Sequence, residues 1–172
     1  MAKRERVSMG TTERPAPRVY ADVAELLAHR TSGVREGHYY VALFGLRNYD
    51  AVSVVDHVRR GLTYAAFERF QRNAELSAAT LSEVVGIPER TLARRKEAGR
   101  FAADETDRLV RTARIVGGAI ELFEGDSASA ARWLTSPIGA LGGRTPLEFA
   151  TTDVGAIEVE SLIGRLTHGI PT

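Results

Sequence analysis

The chain has 172 residues, of which 44% are apolar and 26% are charged, and its formal net charge is +1. A chain of this size buries roughly 70% of its unfolded surface on folding, so one domain or two small ones are expected. It contains no cysteine, which excludes disulfides, thiolate metal sites and a cysteine nucleophile. Because no apolar run approaches the roughly 20 residues of a membrane span and no signal peptide is evident, we expect a cytoplasmic protein with no membrane contact.

The charge is unevenly distributed along the chain. Residues 1–114 carry 20 of the 23 Lys and Arg and 15 of the 22 Asp and Glu, a balance of +5, whereas residues 115–172 have a balance of −4. This asymmetry favours a first part that binds a polyanion and a second part that does not.

The first 58 residues give weak signals. Residues 1–19 are polar and contain two prolines, which predicts a mobile basic tail. Residues 21–30 predict a short helix. The run YYVALFGL at 39–46 leaves two alternatives open, a strand or a helix that ends near Gly45.

Helical spacing begins near Asp50. Apolar residues on one segment are followed by Gly61, and aromatic residues recur at a spacing of three on the next, which predicts one or two helices over residues 62–79. The apolar residues concerned are Val54, Val55 and Val58, then Tyr64, Phe67 and Phe70.

Residues 78–96, AATLSEVVGIPERTLARRK, have the pattern of a helix-turn-helix. Gly86 permits a tight left-handed turn, and Pro88 starts a second helix. The spacing of the apolar residues fits two helices that cross at a steep angle. These residues are Leu81, Val85, Ile87 and Leu92.

The second helix of this motif carries basic side chains. Its outward residues are predicted to enter the major groove, where arginine donates two hydrogen bonds to guanine. The predicted DNA-binding residues are Arg90, Thr91, Arg94, Arg95, Lys96 and Arg100, and further phosphate contacts are expected from Arg59, Arg60, Arg69 and Arg72. A helical hairpin with a solvated basic face is the alternative. Arg95 departs from the pattern, since many such motifs have an apolar residue there.

The second part of the chain is also helical. An apolar stripe runs from Leu109 to Phe123, and Gly117-Gly118 within it predicts close contact with another helix. A helix from Ser127 and a glycine turn before Pro146 follow. The last helix is predicted over residues 154–167, with an uncapped extension after it; its expected buried residues are Ile157, Leu162, Ile163 and Leu166.

From about Arg59 to the C-terminus the sequence resembles the Xre/MbcA/ParS-type antitoxins of bacterial type II toxin–antitoxin pairs. The resemblance rests on several short matches that occur in order. These are Arg60-Gly61-Leu62, Arg90-Thr91-Leu92 with Arg94-Arg95, Asp107-Arg108-Leu109, Ala113-Arg114, Leu122-Phe123 before Gly125-Asp126, Ala131 before Trp133-Leu134, Leu141-Gly142-Gly143-Arg144-Thr145-Pro146-Leu147, Gly155, Leu166 and Gly169.

The resemblance implies a mainly α fold, with a helix-turn-helix DNA-binding domain followed by a small C-terminal helical toxin-binding domain. The expected bounds are a tail at 1–19, the DNA-binding domain at 20–114 and the toxin-binding domain at 115–172. The implied partners are a RES-domain toxin that consumes NAD⁺, the promoter DNA of the pair and a second copy of the chain. The implied toxin-binding residues, which enter or cover the toxin's active-site cleft, are Arg165, Thr167, His168, Gly169, Ile170, Pro171 and Thr172.

Two other classes of function remain as alternatives. The chain is a plain transcription regulator if its C-terminal half only dimerises. An enzyme is disfavoured because the sequence shows no nucleophile–base set and no nucleotide loop. The four scattered histidines form no metal motif, and we expect neither a metal nor a cofactor; they are His29, His38, His57 and His168.

Overall fold

A computed structural model describes residues 20–31 and 38–170. These residues form nine α-helices, two short 3₁₀ helices and two isolated bridges, with no strand among them, which confirms the predicted mainly α fold. The tail predicted at 1–19 lies outside the described residues, as do Pro171 and Thr172. The α-helices are α1 (Ala21–Thr31), α2 (Ala51–Arg60), α3 (Tyr64–Ala74), α4 (Ala78–Val84), α5 (Glu89–Ala98), α6 (Ala103–Leu122), α7 (Ser127–Leu134), α8 (Pro146–Phe149) and α9 (Asp153–Thr167).

Polar side chains fix where several of these helices begin. Asp50, Thr63 and Ser77 precede α2, α3 and α4, and each accepts a hydrogen bond from the backbone N–H three residues later. These contacts satisfy N–H groups that have no partner within the helix. Gly61 ends α2 with φ of 79°, as the sequence predicted.

The ambiguous run at 39–46 forms neither a strand nor an α-helix. Tyr39–Phe44 is a 3₁₀ helix, which ends at Gly45 in the left-handed conformation. The prediction of a strand is therefore wrong. The alternative prediction, a helix that ends near Gly45, is confirmed in where the helix ends. Five of the six side chains are buried, because this helix lies between α1, α3 and α6.

Helix α6 is the central element of the fold. Its predicted stripe from Leu109 to Ile120 is buried, and Phe123 packs against the same core. The predicted close contact is confirmed at Gly117, which faces the 3₁₀ helix at Tyr40, whereas Gly118 faces Ile163 of α9 at an ordinary packing distance. The N-terminal and C-terminal helices therefore pack on the same helix.

One apolar core extends across the predicted domain border. The border between residues 114 and 115 falls inside the continuous helix α6. Buried residues from Val23 of α1 to Ile163 of α9 form a single cluster. The bounds 20–114 and 115–172 stay a prediction, and the two parts share their central helix.

Two residues predicted to be buried on α9 are exposed. Leu162 and Ile163 are buried as predicted, but Ile157 is 56% exposed and Leu166 is 37% exposed, so the prediction is wrong for these two. The reason is that α9 packs mainly on α6 and α8, which leaves part of its surface uncovered. None of the described helices is both long and apolar enough to span a bilayer.

Candidate functional site

Helices α4 and α5 form the helix-turn-helix that the sequence predicts. Gly86 has φ of 63°, a backbone conformation that residues other than glycine rarely adopt. The N–H of Ile87 donates to the carbonyl of Ser82 at 2.8 Å, and the Ile87 side chain is buried in the crossing. Leu81 and Leu92 hold the two helices on the core.

Backbone contacts fix α5 relative to the rest of the fold. The N–H of Tyr64 donates to the carbonyl of Gly99 at 2.9 Å, and the N–H of Phe101 donates to the carbonyl of Leu62 at 2.9 Å. The segment that follows α5 is thereby joined to the start of α3 and to the α2–α3 link. Helix α5 is consequently presented as a rigid element, as a groove-reading helix requires.

The outward face of α5 is basic. Arg90 and Arg94 are exposed, and neither has a hydrogen-bond or ion-pair partner among the residues that the structure describes. They are four residues apart and so share a face. Lys96 is also exposed, with its Nζ 5.9 Å from the centre of the Tyr64 ring. Thr91 is half-buried.

The prediction that Arg95 points outward is wrong. Its Nε donates to Glu105 Oε2 at 2.7 Å, and its Nη2 donates to Glu105 Oε1 at 3.1 Å. Glu105 is 5% exposed and also accepts from the N–H of Ala102 at 2.8 Å. The hydrogen bond that Arg95 donates to Glu105 raises the pKa of Arg95 above its ordinary value. The pair therefore fastens α5 to the start of α6.

Two other predicted phosphate contacts are partly engaged inside the protein. Arg100 is exposed, but one of its nitrogens donates to the carbonyls of Arg60 at 3.2 Å and Gly61 at 2.6 Å. Arg69 pairs with the buried Asp22 at 3.2 Å, so its charge is balanced within the fold. Arg69 is therefore a weaker candidate for phosphate than Arg90 or Arg94.

Sequence reasoning missed the residues that position the helix-turn-helix. Arg108 Nε donates to the carbonyl of Val85 at 2.6 Å, at the C-terminus of α4, where a cation is favoured. Glu105 binds Arg95, as described above. The one available signal was an acidic residue in the first turn of a helix, which indicates a cap but not a partner on α5.

The C-terminal part is built around the junction of α8 and α9. Thr145 and Glu148 cap α8 reciprocally, and the hydrogen bonds from Thr145 lower the pKa of Glu148. Gly155 lies against the carbonyl of Phe149, where a Cβ atom would overlap the oxygen. Only glycine permits this close approach of the two helices.

The end of α9 is capped, so the predicted uncapped extension is wrong at the described residues. The N–H of Ile170 donates to the carbonyl of Arg165 at 2.9 Å, and that of Gly169 donates to Leu166 at 3.2 Å. With Gly169 at φ of 66°, this is a Schellman cap, and it turns the chain away from the helix axis. His168 and Ile170 are exposed at this turn.

The predicted toxin-binding residues divide between helix and cap. Arg165 and Thr167 lie in the last turn of α9, where Arg165 donates to Ser161 Oγ at 2.8 Å and Thr167 donates to the carbonyl of Ile163 at 2.9 Å. Pro171 and Thr172 lie outside the described residues.

Comparison with known protein families matches both parts. A family model described as "Antitoxin Xre-like helix-turn-helix domain" matches residues 53–114. A second, described as "Antitoxin Xre/MbcA/ParS C-terminal toxin-binding domain", matches residues 118–169. The chain is also 37% identical over 118 residues to a protein of Yersinia enterocolitica named Antitoxin Xre, which covers 68% of this chain and 80% of that protein. The chain belongs to the Xre antitoxin family.

Another relative agrees with this placement. A protein of Photorhabdus laumondii, also named Antitoxin Xre, is 36% identical over 114 residues, covering 66% of this chain and 77% of that protein. The family places the chain among the regulatory antitoxins with a DNA-binding helix-turn-helix, rather than among the enzymes. The two family models meet within α6, so the DNA-binding and toxin-binding parts are joined by one continuous helix.

Proposed function

We propose that this antitoxin neutralises a RES-domain toxin that consumes NAD⁺ and represses its own promoter as a homodimer. The observation that carries the proposal is the exposed and unpaired face of α5, which lies on the same core as a matched toxin-binding domain. The RES-domain partner and the homodimer come from the family resemblance.

The DNA-binding step assigns different roles to the basic residues of α5. Arg90, Thr91 and Arg94 read base edges in the major groove. Lys96 and Arg100 contact phosphates, which gives affinity without sequence preference. Arg95, held by Glu105, sets the angle of the helix and does not touch DNA.

The toxin-binding step uses the end of α9. Its residues enter the toxin's active-site cleft and exclude NAD⁺ by occupying its place. Support comes from the cap, because the Schellman turn directs His168 and Ile170 outward from the helix end. The residues assigned this role are Arg165, Thr167, His168, Gly169, Ile170, Pro171 and Thr172.

The DNA step is tested by measuring the affinity of purified variants for the promoter fragment. Arg94→Ala is expected to weaken binding by about 1–3 kcal/mol and to relax base preference, because it removes a contact to a base. Arg132→Ala is the matched control, since it removes the same charge from an exposed residue of α7. Equal affinities for the two variants would contradict the placement of the reading helix.

The toxin step is tested by removing residues 168–172. The truncated antitoxin is expected to stay bound to the toxin, because α9 is intact, while the toxin regains NAD⁺ consumption. NAD⁺ is measured in the purified complex. Full inhibition by the truncated protein would show that these residues do not block the active site. A wild-type protein that binds only DNA would instead favour a plain regulator.

A further inference from the structure

A groove of about 400 Å³ lies between α2, α6 and the start of α9. We call it the α2–α9 groove. One wall is the valine-rich side of α2, the floor includes Val110 of α6, and Asp153 lies at the other wall. The α2 residues that line it are Ala51, Val54, Val55, Val58 and Arg59.

Both helices that bound this groove carry exposed apolar side chains. Val55 lines the α2 wall and is 46% exposed, and Val52, three residues earlier on the same helix, is 74% exposed. On the other wall Val154 follows Asp153 and is 74% exposed, and Ile157 comes one turn later. Single exposed apolar residues are ordinary, but clustered ones around a groove mark an interaction surface.

Most of the charges in the groove are paired within the protein. Arg111 lies 3.5 Å from Asp107 and 3.7 Å from Asp153, and Arg114 lies 2.5 Å from Glu160. Because these guanidinium groups are already paired with carboxylates, they are poor ligands for phosphate. Arg59 also lines the groove, is exposed, and has no ion-pair partner among the described residues. The Arg111–Asp153 pair also joins α6 to the start of α9, so it connects the floor of the groove to the α9 wall.

We infer that the α2–α9 groove is part of the docking surface for the toxin, so that the toxin contacts α2 as well as the C-terminal domain. The inference rests on the proposed function for the presence of a toxin partner. The toxin is chosen over other occupants because Asp153, which forms the α9 wall, lies within the matched toxin-binding domain. The α2 wall lies largely within the matched helix-turn-helix domain. One toxin molecule therefore contacts both parts of the antitoxin.

The test places a charge on each wall and measures affinity for the toxin by titration calorimetry. Val52→Glu on α2 and Val154→Glu on α9 are each expected to weaken toxin binding by about tenfold or more, because an apolar contact then buries a carboxylate. Ala65→Glu, at an exposed position of α3, is the matched control and is expected to bind as the wild type does. Because Val52 and Val154 are exposed, circular dichroism is expected to show unchanged folding for both variants.

The contrary outcomes are distinct. If only Val154→Glu weakens binding, the toxin does not contact α2 and the inference is wrong. If Val52→Glu leaves toxin affinity unchanged and converts a free dimer to a monomer in sedimentation, the groove belongs to a second copy, which also overturns it. A wild-type chain that binds no toxin overturns both this inference and the proposed function. A tail deletion that leaves inhibition intact refutes only the blocking mechanism.

Discussion

At the scale of single residues, a buried carboxylate organises the N-terminal side of the fold. Asp22 of α1 is 7% exposed and accepts hydrogen bonds from Asn73 at 3.0 Å and from Arg47 at 3.1 Å. Arg69 pairs with Asp22 Oδ2, the oxygen that also accepts from Asn73, at 3.2 Å. Asn73 also donates to the carbonyl of Leu43 at 2.8 Å. This network joins α1 and the 3₁₀ helix to α3, and no local sequence signal predicts it, since its members are far apart in the chain.

Replacement of Asp22 tests how much this network contributes to the free energy of unfolding. Asp22→Ala is expected to lower the free energy of unfolding by about 1–3 kcal/mol, because it leaves the buried amide of Asn73 without one of its acceptors. Asp56→Ala is the matched control: Asp56 pairs with Arg60 at 3.5 Å on the surface of α2. Its effect is expected to stay within about 0.5 kcal/mol. Urea denaturation measures both, and equal losses would refute a structural role for the network.

The basic face of α5 shows what residue-level prediction achieves. The positions of Arg90 and Arg94 follow from helical periodicity alone, so their exposure was predictable. The orientation of Arg95 was not, because its acceptor Glu105 lies on another helix. An arginine at an apolar position of the motif is a signal that a partner exists, but only the tertiary structure supplies it.

At the scale of elements, neighbouring glycines of α6 have different environments. A Cβ added at Gly117 would lie 3.1 Å from Tyr40 Cβ and 3.2 Å from Leu26 Cδ1. At Gly118 the nearest atom would be Ile163 Cγ2 at 3.4 Å, which is an ordinary contact. The sequence pattern predicted close packing for the pair, but it did not distinguish the two faces.

Alanine substitutions distinguish these two glycines. Gly118→Ala is expected to stabilise the protein by about 0.5–1 kcal/mol, because alanine favours the helix and the space is available. Gly117→Ala is expected to be less stable than Gly118→Ala, since the 3₁₀ helix must move to admit the methyl group. Thermal unfolding of both variants against the wild type measures the difference. A Gly117→Ala protein at least as stable as Gly118→Ala would show that the contact at Tyr40 is loose.

At the scale of the whole molecule, the two matched family domains share α6 and one core. The sequence placed a change of charge and a domain border near residue 114, and the family models end and begin at 114 and 118. The structure shows no gap there, because α6 continues from Ala103 to Leu122 and carries buried residues from Glu105 to Ile120. The DNA-binding part and the toxin-binding part are therefore connected by a continuous helix.

A shared core predicts that both parts unfold together. The single tryptophan, Trp133, lies in α7 with its ring 6.4 Å from that of Phe123, so its fluorescence reports on the C-terminal part. Circular dichroism reports on all the helices. The two signals are expected to give the same midpoint in a urea titration, as in a two-state transition. Separate midpoints would indicate that the two parts unfold independently.

The sequence by itself determined the helical class, most helix ends, the helix-turn-helix and the family. These features depend on spacing within one segment: apolar periodicity, capping residues, and glycine or proline at the turns. The tertiary structure alone decided which faces are covered. It paired Arg95 with Glu105 and left Ile157 exposed. It also placed residues of α2 and α9 on the same groove. The physical reason is that burial depends on contacts between distant segments, and the periodicity of one helix does not state how many neighbours that helix has.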